Sequence, residues 1–500
     1  MNPIPFTNTF VTLPDRFYSH QEPTPVANPA LIRVNLTLAR QLGIDTDWLA
    51  TTEAVEVFAG NRIPPGAEPI ATVYAGHQFG GWNPRLGDGR AVLLGEVLAR
   101  DGRRFDIQLK GSGRTPYSRG GDGRAPLGPV LREFIVSEAM AALGVPTTRS
   151  LAAVATGERV YRQGALPGGI LTRVARSHIR VGHFQYFMAS GDGEAIQLLA
   201  DHVLARDFPE LDAAAPASGE SQQDADNRYM ALLRTVIARQ ASLIAQWQLF
   251  GFVHGVMNTD NMLISGETID YGPCAFMEEY EPALCLSSID HGGRYAFQNQ
   301  PAIAQWNLTR FAECLLPLLH DDEQEGIALA TRALADFAQR YEDAYRDGLH
   351  RKFGLQARSL RSDRLLDDWM GQMQALQLDF TLTFRHLADL AAPTSGAVGV
   401  DWTLPESLAP LLQQLRELWA ADGRTDEVRQ RDMYAVNPAF IPRNHRIEEA
   451  IRAAEDRGDL APFQRLVERL ARPHEYDGGD ADLTRPAAAQ ERVHQTFCGT

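Results

Sequence analysis

Five hundred residues and 55.2 kDa are too much for one small module and fit two to four domains or one large two-lobed enzyme. With 44% apolar and 22% charged residues the chain is not globally disordered, and 48 basic against 63 acidic side chains (net charge −15) exclude a chain-wide nucleic-acid or anionic-membrane binder. No run of 18 apolar residues and no basic-then-apolar leader occurs, so no membrane attachment and a cytoplasmic location are expected.

Residues 1–70 are Pro-rich and irregular, with one amphipathic helix predicted near 31–42. They are expected to form an N-terminal extension packing on the lobes. Residues 71–190 are glycine-rich and strand-like. The runs RAVLLGEVL (90–98) and RFDIQL (104–109) flank the hairpin signal Asp101-Gly102. Strand alternation puts Phe105, Ile107 and Leu109 on one face and Asp106, Gln108 and Lys110 on the other. A helix is predicted over 128–143, with Glu133 in its first turns and Gly144 and Pro146 as stops. The runs SLAAVAT, ERVYRQG and GGILTRVA read as two or three further strands. Residues 211–225 read as a surface linker. Helices are predicted over 226–250, 302–420 and 445–472, before a polar tail, 473–500. The order, strands first and helices after, indicates an α+β protein of two lobes: a strand-rich lobe over 71–190 and an extended helical lobe over 191–472.

Only Lys110 and Lys352 are lysines; the other 46 basic residues are arginines. A glycine turn (Gly87-Asp88-Gly89-Arg90), a hairpin and a strand-borne lysine form the phosphate-covering arrangement of protein kinases, in which such a lysine takes an acidic partner from the next helix; Glu133 is 23 residues on. The ordinary alternative is a surface lysine and a helix-face glutamate. The loop GSGRTPYSRGGDGRA (111–125) carries Arg114, Arg119 and Arg124 and is expected outside the core, as a mobile loop or an anion cradle. Neither a GxxxxGK[ST] nor a complete GxGxxG motif is present. Arg173, Arg176 and Arg180 add guanidinium groups or make surface salt bridges.

Beyond the helix 226–250, two short strands (262–264 and 268–269) are predicted to pair through a Ser-Gly-Glu turn. Asn261 precedes them and Asp270 follows, so their oxygens can converge on one hard cation such as Mg²⁺. Asp270-Tyr271-Gly272 is a variant of the kinase DFG motif. Where an HGDxxxxN loop has its catalytic aspartate, this chain has Val256, which cannot accept a proton; Asp260 offers a carboxylate from another angle. Ordinary γ-phosphoryl transfer is disfavoured and nucleotide binding is retained.

The segments 74–96, 109–140, 252–262, 268–277 and 437–451, with Cys498 near the end, resemble the selenoprotein O / YdiU family of protein adenylyltransferases, and the resemblance spans nearly the whole chain. It implies a protein-kinase-like two-lobed fold that binds ATP turned end for end. It also implies transfer of AMP to Ser, Thr or Tyr hydroxyls of proteins with Mg²⁺ or Mn²⁺, and UMP transfer from UTP as a second activity. By motif, Gly87, Gly89, Arg90, Lys110, Asp122, Gly123, Arg173, Arg180 and Asp270 would bind the nucleotide. Asn261 and Asp270 would hold the metal, Asp260 would accept the proton, and Glu133 would pair with Lys110. The implied partners are protein substrates, with no nucleic acid and no membrane. The alternatives are an unconventional kinase using Asp260 and a catalytically silent nucleotide-binding scaffold. Cysteine spacing alone reads all four cysteines as free thiols; the resemblance implies a disulfide from Cys498 to Cys274 or Cys285, with Cys285 favoured.

Overall fold

The computed structural model describes residues 2–162, 164–212, 227–392, 402–476 and 478–497. It is a mixed α/β structure with one large antiparallel sheet and many helices. In chain order the strands are β1 (Tyr18–His20), β2 (Ala30–Val34), β3 (Ile70–Thr72), β4 (Gly76–Gln78), β5 (Gly81–Asn83), β6 (Ala91–Leu98), β7 (Arg104–Lys110), β8 (Ala125–Pro126), β9 (Arg149–Tyr161), β10 (Ala165–Ala175), β11 (Phe252–Val253) and β12 (Ala275–Phe276). The large sheet runs β1-β3-β6-β7-β10-β9-β2, with β8 attached to β10; β4–β5 and β11–β12 are separate pairs. Both edge strands therefore come from the first 34 residues. The predicted helix near 31–42 is correct only in its second half: α1 spans Leu36–Gln41, capped by Asn35, whose side chain accepts from the Leu38 N–H. The preceding β-rich sequence ALIRV pairs with β9 instead. The runs SLAAVAT and ERVY belong to one strand, β9, which passes through Gly157 in a positive-φ conformation.

Strand alternation holds along β7. Phe105, Ile107 and Leu109 are buried with Leu38, Val57 and Phe58 on the side covered by α1 and α2 (Thr52–Phe58). On the opposite face lies α3 (Leu127–Ala142), buried on nearly every side. Its second cover comes from the far end of the chain: α14 (Asn444–Arg457) and α15 (Ala461–Leu470) both pack on α3. Phe463 meets Phe134 with ring centroids 5.7 Å apart, and Glu455 accepts from the Gly128 N–H at 2.9 Å.

After the sheet come α4 (Val181–Ala189), α5 (Gly193–Asp207), α6 (Pro209–Asp212), α7 (Arg228–Leu249), α8 (Gln300–Leu319) and α9 (Glu323–Lys352), then α10 (Leu360–Ala375), α11 (Phe380–Asp389), α12 (Ala409–Ala421) and α13 (Asp426–Val436). The linker expected over 211–225 lies almost entirely outside the described residues. Helices α7, α8 and α9 pack on one another, and α10–α13 share a second apolar cluster around Trp369. No helix among the described residues is long and apolar enough to cross a membrane.

The hairpin expected over 262–269 does not form. Leu263 bridges Arg180 and Thr268 bridges Thr147, with Val181 N–H donating to the Met262 carbonyl and Thr148 N–H to the Thr268 carbonyl. Runs of two and three residues gain more by pairing with the segments flanking the sheet than with each other. The turn between them is fixed by Glu267, which accepts from Ser265 Oγ and the Arg176 N–H.

Candidate active site

The site forms where the end of β7, α3, β10 and the 254–272 segment meet. Alternation puts Lys110 at the end of β7 on the face toward α3, and the first turns of α3 present Glu133. Lys110 Nζ donates to Glu133 Oε2 at 2.6 Å and to Asp270 Oδ1 at 2.5 Å. Arg173 lies on β10 opposite Gln108, hence on the same face as Lys110. It donates to Glu133 Oε1 at 2.8 Å and to Asp270 Oδ1 at 3.3 Å. Two cations and two carboxylates thus close into one cluster. Burial opposes ionisation of Glu133, but Arg173 and Lys110 outweigh it and hold its carboxyl below the usual range. Burial likewise opposes the Asp270 charge, and Lys110, Arg173, Arg90 and Arg180 hold that carboxyl well below its ordinary value. Asp270 has a positive φ of 69°, a conformation rare for a non-glycine residue.

In front of this cluster is a cleft of about 630 Å³. Gly87, Gly89, Arg90, Asp122, Gly123, Arg180, Asp260, Asn261 and Asp270 line it, together with Val256. Lys110, Glu133 and Arg173 stand behind Asp270 and reach the cleft through it. Arg180 stacks on Tyr74 with its guanidinium 4.7 Å from the ring centre and donates to the Asp260 carbonyl at 2.6 Å. Burial pushes the Asp260 carboxyl up to about 6, against the pull of Arg180. Its Oδ2 accepts from Gln78 Nε2 at 3.1 Å, while its Oδ1 is buried without a partner. Asn261 donates through Nδ2 to the Val256 carbonyl at 3.0 Å, and its Oδ1 is also buried without a partner. An amide oxygen aimed nowhere is costly unless a ligand completes it.

Two expectations need correction, one about the loop 111–125 and one about Arg176. The loop 111–125 is not confined to the surface: Ser112, Thr115 and Tyr117 are buried, and Gly113 and Gly123 cross so closely that a Cβ at Gly123 would collide with the Gly113 carbonyl. Of its arginines, Arg114 donates to the Gly120 and Gly121 carbonyls and Arg124 to the Thr24 and Pro25 carbonyls; Arg119 and Arg124 line the cleft. Asp122 lines the cleft as expected, paired bidentately with Arg162 at 2.9 Å. Arg176 is apart from Arg173 and Arg180, lining a different cavity with Arg239 and Glu267.

Sequence reasoning missed Gln78 and the hairpin that carries it. The β4–β5 hairpin lies on the Asp260 loop: His77 N–H donates to Thr259 Oγ1 at 2.8 Å and Phe79 N–H to Asn258 Oδ1 at 3.0 Å. The Gly-rich stretch AGHQFGGW was the available signal.

Cys274 is buried, its Sγ 3.3 Å from the Tyr271 carbonyl. Cys285 is half-buried, its Sγ 3.4 Å from Asp290 Oδ2. Cys498 lies outside the described residues. The strand of chain leading to it docks beside Cys285: Thr496 N–H donates to the Leu286 carbonyl at 2.7 Å and the Ser288 N–H to the Thr496 carbonyl at 2.9 Å.

The family model described as "Protein adenylyltransferase SelO" matches residues 2–471. The chain belongs to the SelO/YdiU family. It is 55% identical over 498 residues to the protein nucleotidyltransferase YdiU of Rhodopseudomonas palustris (strain BisB5), covering 99% of both chains. It is 55% identical to that of Bradyrhizobium sp. (strain ORS 278), again over 99% of both, and 52% identical to that of Rhizobium rhizogenes (strain K84), over 100% of this chain and 97% of the relative. Membership of SelO/YdiU makes the chain an enzyme, a nucleotidyltransferase.

Proposed function

We propose that this enzyme transfers AMP from ATP to Ser, Thr or Tyr hydroxyls of proteins, with UTP as a second donor, on a protein-kinase-like two-lobed scaffold. The observation that carries the proposal is the pairing of Lys110, Glu133, Arg173 and Asp270 behind a cleft whose kinase-type proton acceptor is replaced by Val256 while Asp260 stands near by. A cleft that keeps the nucleotide-holding groups but moves the base suits reaction at a different phosphorus. The triphosphate, turned end for end, would lie toward Gly87, Gly89, Arg90 and Arg119, where backbone N–H groups and guanidinium groups neutralise it.

The donor set fits a hard cation. The unpartnered Asn261 Oδ1 and the Asp270 carboxylate are two oxygen ligands, and no cluster of three or more His, Cys, Asp or Glu that could hold a metal occurs among the described residues, so the phosphates would supply the rest of the shell. Bound there, Mg²⁺ or Mn²⁺ would supply charge neutralisation at the α-phosphate. Asp260 accepts the proton of the acceptor hydroxyl as its oxygen bonds to the α-phosphorus and the bond from that phosphorus to the bridging oxygen breaks, releasing pyrophosphate. Gln78 and Arg180 hold Asp260 in place from two sides, Gln78 through the carboxylate and Arg180 through the backbone carbonyl. The pairing of Cys498 with Cys285 is proposed on the docking of Thr496 beside residues 286–288; non-reducing mass spectrometry after oxidation tests it, and an absent Cys498 cross-link overturns it.

Labelled ATP tests the main reading. Label from the α-position entering protein is the expected result. Label from the γ-position would establish a kinase, and label from neither position a silent scaffold.

A further inference from the structure

An enzyme that modifies polypeptides has to grip more of its acceptor than one hydroxyl. Gln78 and Phe79 of the β4–β5 hairpin line the cleft, and Trp82 emerges from it 42% exposed. These side chains start a continuous surface. Phe79 meets Tyr295 with centroids 5.2 Å apart, and the Arg294 guanidinium sits over both Tyr295, at 5.8 Å, and Trp306, at 4.9 Å. His77 joins Trp306 at 5.2 Å to Trp82 at 5.0 Å, and Arg310 covers Trp306 at 5.2 Å. Three elements far apart in sequence thus build a shelf of aromatic rings and guanidinium groups that begins at the wall of the cleft and runs outward from Asp260.

The charge of the shelf runs against that of the chain, which carries −15 overall. Arg294 forms no ion pair among the described residues, and its Nε is buried without a partner. Asp290 accepts from the backbone N–H groups of Arg294 and Tyr295, and Glu313 pairs with Arg310 at 2.6 Å. Phe79 and Trp82 are exposed, Trp306 and Arg294 are half-buried beside them and Tyr295 is buried beneath; aromatic rings beside arginine are the composition of a binding hot spot.

We propose that this shelf docks the acceptor polypeptide as an extended segment, with an aromatic side chain against Trp82 and Trp306 and a carboxylate on Arg294, bringing the acceptor hydroxyl to Asp260. The proposal rests on the reading of the cleft as a protein nucleotidyltransferase site. Continuity with that cleft favours a substrate segment over a second copy of this chain, and the positive charge of the shelf favours an acidic one.

Fluorescein-labelled peptides with one acceptor hydroxyl, flanked either by Phe and Glu or by Ala and Lys, can be titrated into the full chain and followed by anisotropy, in parallel with transfer from α-labelled ATP. The Phe/Glu peptide is expected to bind about tenfold tighter than the Ala/Lys peptide. Trp82→Ala and Arg294→Glu should each weaken it about tenfold with ATP-analogue affinity unchanged, and Arg294→Glu should reverse the charge preference. Equal binding of both peptides, or wild-type affinity in both variants, would overturn the proposal. Selective peptide binding without label transfer would support the shelf and count against the nucleotidyltransferase reading.

Discussion

At the scale of single residues, the cluster around Asp270 sets sharp expectations. Asp270→Ala removes the proposed metal ligand and the common acceptor of Lys110 and Arg173, so transfer of α-label should be abolished. Asp260→Ala should slow transfer by about 10²–10⁴-fold, the usual worth of a positioned general base, with ATP-analogue binding retained. Lys110→Arg should also impair transfer, because a planar fork cannot replace a compact ammonium held between two carboxylates 2.6 and 2.5 Å away. Lys110 and Glu133 were legible because strand alternation fixes where a strand-end lysine points and the stop signals Gly144 and Pro146 fix the helix that carries Glu133. The Asp122–Arg162 pair was not. Residue 162 joins that loop only through the pairing of β8 with β10, which no local pattern announces. Gln78 was invisible for a related reason: its partner is 182 positions away.

Elements are legible where hydrophobic period and stop signals agree, as in α3 and the β6–β7 hairpin, and obscure where short apolar runs choose among partners. Residues 262–269 contain strand-like runs, but the pairing that wins is with 147–148 and 180–181, set by the tertiary fold. The loop 111–125 misleads because glycine-rich sequence serves close packing as readily as mobility. Gly123 has a φ of 69° and touches the Gly113 backbone. Gly123→Ala should therefore cost about 1–3 kcal/mol and weaken ATP binding, since the displaced loop forms one wall of the cleft. Denaturant melts and nucleotide titration of this variant check both effects.

On the scale of the whole molecule, Lys352 is the informative residue. It is buried at the end of α9, its Nζ 4.3 Å from the centre of the Phe384 ring, with Phe250 and Phe380 at 5.6 and 5.9 Å. Burial lowers its ammonium from 10.5 to about 7. Between those values the unfolded chain binds the proton that the folded chain has released, so Lys352 makes stability rise with pH, by at most about 1.4 kcal/mol per unit. Below about pH 7 both forms are charged and the contribution is flat at its least favourable level. Lys352→Met should raise stability at pH 7 and remove this rise; urea unfolding at pH 7, 8 and 9 measures it. The helical half was legible as helices except for α13, which lies between the predicted spans, and its assembly was not: nothing in 444–470 indicates that these two helices return to cover α3.

The placement of the first 34 residues has a consequence for biosynthesis. They emerge from the ribosome before the rest of the sheet, yet β2 has no partner until β9 has been made, more than a hundred residues later, and β1 waits for β3. During that interval the nascent chain carries unpaired strands, and the sheet is sealed at both margins by a segment made before the strands it covers. Removing that segment would leave two open margins on an otherwise finished enzyme, which makes self-association the expected fate of an N-terminal truncation.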